Sequence, residues 1–148
     1  MKPSTVLAFT LAGATAIFGL AGVLTAHELD VGFLAYVGGW AAYSALGALL
    51  AALRPRNPIG WLFAIMGLTA QIALSADSMA SAVGYETSAL AAWLLTLLRA
   101  SWFIGFGLMP ALLVLFPDGR PPSPRWRIVL VLIGLDTVLG TLSSSDPT

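Results

Sequence analysis

The 148 residues are 58% hydrophobic and 9% charged, whereas soluble globular domains carry about 25% charged residues, so an ordinary soluble domain is excluded. Seven Lys and Arg balance seven Asp and Glu, which removes the basic excess that nucleic-acid binding requires. The absence of cysteine rules out disulfides, thiolate metal sites and thiol nucleophiles, and a mean hydropathy of +0.89 points to lipid.

Apolar stretches of about 18 residues or more cross a hydrocarbon core of roughly 30 Å as helices, because a helix satisfies its own backbone there. Five such spans are expected, at 6–26, 31–53, 59–76, 89–115 and 124–142, which makes residues 1–148 a single all-α, polytopic helical membrane domain. The first span follows Lys2 and resembles a secretory signal peptide. Its apolar length of about 20 residues exceeds a usual signal core, and Leu24 fits a cleavage site poorly, so a retained span is expected.

The first two spans are free of charge, the third carries Gln71, the fourth Arg99 and the fifth Asp136. Between the second and third, the segment RPRNPIGW offers Asn57 as a helix cap and Pro58 at the first helical position, a pairing that restarts a helix after a tight turn. Between the fourth and fifth, Pro117, Asp118 and Gly119 form a turn followed by Arg120 and a proline-rich piece. There, Ser123 as cap and Pro124 as first residue open the fifth helix early, with Trp126 suited to the membrane interface.

Lys2, Arg54, Arg56, Arg120, Arg125 and Arg127 fall at the N-terminus and in the second and fourth connections, while His27, Glu28, Asp30, Asp77, Glu86 and Asp146 fall in the others and at the C-terminus. Every basic segment therefore lands on one side. The positive-inside rule then predicts a cytoplasmic N-terminus and an extracellular C-terminus in the plasma membrane. Small residues at Ala8, Ala12 and Ala16, at Gly38 and Ala42, and at Gly47 and Ala51 are expected to bring helices close together, within one chain before between two.

An ionised side chain near the bilayer centre costs at least about 2.5–3.5 kcal/mol on insertion scales, so intramembrane charges pair or line a cavity. Arg99 and Asp136 are expected to pair between neighbouring helices, with Gln71 in the same outer polar cluster. Such a cluster either fixes helix register or opens outward as a small-ligand or ion site aided by Tyr36, Trp40, Trp93 and Trp102. His27, Glu28 and Asp30 lack the ligand number and spacing of a zinc site. No GxSxG, phosphate-binding loop, HExxH or second histidine is present, so no catalytic residue, metal or cofactor is expected.

The segments RPRNPIGWLFAIMGL and LMPALLVLFPDGRPPSPRWR resemble the N-terminal membrane region of actinobacterial sensor histidine kinases, over residues 35–148. Asn57, Pro58, Gly60 and Trp61 carry the first signature, and Phe116, Pro117, Asp118, Gly119, Arg120, Ser123, Pro124, Arg125 and Trp126 the second. The resemblance implies a sensor of a two-component system, in which such helices precede a phosphoacceptor histidine domain and an ATP-binding domain. Neither domain is read in these residues. The expected function is thus a non-enzymatic, sensory signal-input module. A small transport or channel subunit, or an assembly partner of another membrane protein, is the alternative. Its expected partners are the lipid bilayer and a second copy or another membrane protein, with no nucleic acid and no specified ligand.

Overall fold

In a computed structural model, which describes residues 2–83 and 89–144, the chain forms α1 (Pro3–Thr25), α2 (Val31–Leu53), α3 (Pro58–Val83), α4 (Ala89–Leu115) and α5 (Trp126–Ser144). There is no strand among the described residues. All five helices are long and apolar enough to cross a membrane, the arrangement of a multi-pass membrane protein. Glu86, Asp146 and the C-terminal segment in which Asp146 lies are outside the described residues.

Helix α3 is the centre of the bundle. It packs against α1, α2 and α4, whereas α5 touches only α4 among the described residues. Burial follows: 61% of the apolar window of α3 is covered, against 6% of that of α5. Large apolar side chains such as Leu24, Leu53, Leu113 and Leu139 point outward, as expected of helices whose solvent is hydrocarbon.

Small side chains set the helix contacts, though in a different register from the one expected. The buried stripe of α1 is Ala8, Thr15, Gly19 and Gly22, and that of α2 includes Trp40, Ser44, Gly47 and Ala51. Both advance in steps of three, four and seven, the heptad spacing of left-handed antiparallel packing. The four-residue ladder through Ala12 and Ala16 drifts off this stripe, so Ala16 is exposed, as are Gly38 and Ala42. Gly47 with Ala51 does lie at a contact, directly against the backbone of Gly60 and Ala64 in α3.

Polar side chains close the same interfaces. The Thr15 and Ser44 hydroxyls join α1 to α2 at 2.8 Å, and Ser101 Oγ in α4 donates to the Thr69 carbonyl of α3 at 2.8 Å. Such hydroxyl pairings across helices are favourable in hydrocarbon.

Of the two predicted caps, the one at Asn57 is found and the one at Ser123 is not. Asn57 Oδ1 accepts from Ile59 N at 3.0 Å and Pro58 is the first residue of α3. Ser123 and Pro124 instead form a tight turn whose carbonyls accept from Trp126 N and Arg127 N, so regular helix begins at Trp126. Asp30, considered and set aside as a metal ligand, caps α2 by accepting from Phe33 N at 2.6 Å. The third span runs on past Ala76 to Val83, carrying Asp77 inside the helix rather than in a connection.

Candidate functional site

The Asp136 carboxylate is not the partner of Arg99. Arg99 Nε lies 2.5 Å from Asp77 Oδ1, between α4 and α3. Asp136 has no ion-pair partner among the described residues and is exposed on α5.

Register explains the outcome. In the antiparallel α4–α5 pair, Gly107 lies against Thr137 and Gly140 against the Phe103 ring. That register sets Arg99 level with the last residues of α5, about 13 Å along the axis from Asp136, beyond the reach of an ion pair. Helix α5, with 19 residues, is about 28 Å long and just spans a hydrocarbon core. Taking α5 as the length of the hydrocarbon core puts the Asp77–Arg99 pair at one end of it and Asp136 near its middle.

At an interface an ion pair is worth little. Its side chains are 46% and 41% exposed, and pairs of that exposure contribute about 0.2–1 kcal/mol. A double-mutant cycle with Asp77→Asn and Arg99→Gln, read from thermal unfolding in bilayers, is therefore expected to give a coupling below about 1 kcal/mol. A coupling of several kcal/mol would place the pair in hydrocarbon instead.

Gln71 belongs to neither charge. Its side chain is fully buried, turned toward α1 and α2, where Nε2 donates to the Val37 carbonyl at 2.7 Å and the amide rests on Gly19. Its Oε1 has no hydrogen-bond partner among the described residues. The outer polar cluster expected from the sequence is thus three separate sites, with Gln71 inside the bundle, Arg99 on its rim and Asp136 on its outer surface.

Three of the four aromatic residues come together. Trp40 contacts Tyr36, Trp102, Tyr43 and Phe106 at ring-centroid distances of 5.4–6.2 Å, bridging α2 and α4 across α3. Only Trp40 of this group is fully covered. Trp93 is exposed and takes no part in these ring contacts.

The two signature turns meet at the other end of the bundle. Gly119 has φ of +73°, a left-handed conformation that ends a helix at little cost only for glycine, and its N–H donates to the Leu115 carbonyl at 2.7 Å. A Cβ there would stand 2.5 Å from Asn57 Oδ1 and 2.6 Å from Pro58 Cδ, so the α4–α5 turn is seated on the cap of α3. Trp61 Nε1 donates to the Pro55 carbonyl at 3.0 Å and holds the α2–α3 turn against the first turn of α3.

Lys2, Arg54, Arg56 and Arg120, together with Asp118, line a depression of about 600 Å³ over these turns. These four basic residues thus gather at one end of the bundle, as the alternation of spans predicts, while Arg99 lies toward the other. The sequence placed Asp77 in a connection, and neither its pairing with Arg99 nor the α3 contact of Gly119 was read from it. The only signal for Asp77 was the apolar pattern continuing through Met79 and Ala80 after it.

No protein-family model, no curated protein and no solved structure matches this chain, so its function is argued from its own residues.

Proposed function

We propose that the chain is a sensory signal-input module of the plasma membrane, similar in role to the membrane part of a sensor histidine kinase and without chemistry of its own. The observation that supports this reading is the construction of α3. One end of this helix carries Asp77, held to α4 by a weak, accessible ion pair. Its other end is the Asn57 cap on which the α4–α5 turn sits. Both ends of α3 therefore touch the α4 hairpin, and a change in the pair biases the seating of the turns about 28 Å away. In this reading the basic turns face the cytoplasm, by the positive-inside rule.

The transport alternative needs Gln71, Arg99 and Asp136 on one route across the bilayer, and these three face different surfaces. The test uses the cysteine-free chain with cysteines introduced at Pro55 and Asp118, reconstituted in liposomes. Disulfide formation between the two turns is expected to differ between this protein and its Asp77→Asn variant, with no solute flux in either. Equal cross-linking rates would contradict transmission through α3, and flux abolished by Asp136→Asn would replace the proposal with transport.

A further inference from the structure

Helix α5 presents a surface that α1, α2 and α3 leave uncovered. Between α4 and α5 runs a groove of about 550 Å³, whose walls include Phe106, Gly107, Pro110, Leu132 and Asp136. Its lining is apolar apart from Thr137, whose hydroxyl donates to the Ile133 carbonyl, and Asp136. The Asp136 carboxylate lies at mid-depth of α5, without an ion-pair partner among the described residues. On the α4 side, Pro110 has no N–H to give the Phe106 carbonyl its usual intrahelical bond.

Uncovered acceptors in hydrocarbon are unfavourable, and intramembrane carboxylates are found paired or facing a bundle interior. The chain has no cation to offer at this depth. Arg99 is about 13 Å away along the axis and held by Asp77, and Arg127 lies nine residues before Asp136, also about 13 Å along α5. A second copy brings the same deficit, since its Asp136 would face another carboxylate.

We infer that the α4–α5 groove is the docking surface for a further transmembrane helix that carries a lysine or arginine at mid-depth. That helix places its cation on Asp136 and its apolar side chains over Gly107, where the absent side chain allows close approach. Charge complementarity selects the partner, and the groove sets its register.

The full chain, labelled with a fluorescent donor and reconstituted in zwitterionic vesicles, tests this against two acceptor-labelled transmembrane peptides. One is a polyleucine helix with a single central lysine, and the other has leucine at that position. Association with the lysine peptide is expected to be about three- to tenfold stronger, the range of polar contacts between helices in lipid. The preference is expected to disappear in both Asp136→Leu and Asp136→Asn, each checked for unchanged helical content. Equal association of the two peptides with the unmodified chain overturns the inference. So does self-association that Asp136→Leu removes, because the groove would then be filled by a second copy.

Discussion

Gly47→Ala is expected to destabilise the bundle by about 1–3 kcal/mol or more, the range for overpacking a well-filled interior, measured as a fall in thermal unfolding midpoint in bilayers or detergent. A Cβ at this position would fall on the Ala64 nitrogen and stand 2.8 Å from both Ala64 Cα and the Gly60 carbonyl oxygen. These are backbone atoms of α3, so no rotamer change relieves the overlap and the helices must separate. Separation would loosen Ser44, Trp40 and Ala51 along the same stripe. Gly38→Ala, on the same helix with nothing within 4 Å of the new Cβ, is the control. It is expected to leave stability unchanged or to raise it by up to about 1 kcal/mol through helix propensity.

Asp136→Leu carries the second large effect, with the opposite sign. In the isolated chain the carboxylate is exposed near the middle of α5, where a charged residue costs about 2.5–3.5 kcal/mol of insertion free energy. Leucine removes that cost without touching a packed neighbour. Insertion of α5, read by protease protection of its end in vesicles, is expected to rise by an amount equivalent to about 2.5–3.5 kcal/mol. Thr137→Leu, one residue on, is expected to reduce stability, because Thr137 is buried directly on Gly107 of α4.

The five spans and the Asn57–Pro58 helix start were legible because length, hydropathy and proline placement are local properties. Asn57 and Pro58 open α3 as their spacing predicts. The end of α3 was not legible, since Asp77 and Ser78 interrupt the apolar run. The helix continues through them because Asp77 meets Arg99, Ser78 is buried and the Ser81 hydroxyl donates to the Asp77 carbonyl. Partner choice was lost for a related reason. Whether Arg99 finds Asp77 or Asp136 depends on the sliding register of α4 against its neighbours, which Gly105 on Thr69 and Gly107 on Thr137 determine. No local pattern in one helix encodes that offset.

The depth assigned to Arg99 depends on which helix is taken as the ruler. Counting from the ends of α4 alone puts Arg99 well inside the membrane, but α4 is eight residues longer than α5. The shorter helix is the better ruler for a hydrocarbon core, and by it Arg99 reaches the interface. The charge that most needs an explanation is therefore Asp136.

Both signature turns and Lys2 lie at one end of the bundle and the α1–α2 turn at the other, so they are expected on opposite membrane faces. Single cysteines introduced at Pro55, Asp118 and Leu29 of the cysteine-free chain, probed with a membrane-impermeant maleimide in sealed, oriented vesicles, measure this directly. Cysteines at 55 and 118 are expected to react from the same side and the cysteine at 29 from the opposite side. Labelling of 55 and 118 from opposite sides would contradict the five-span bundle and the contact between its turns.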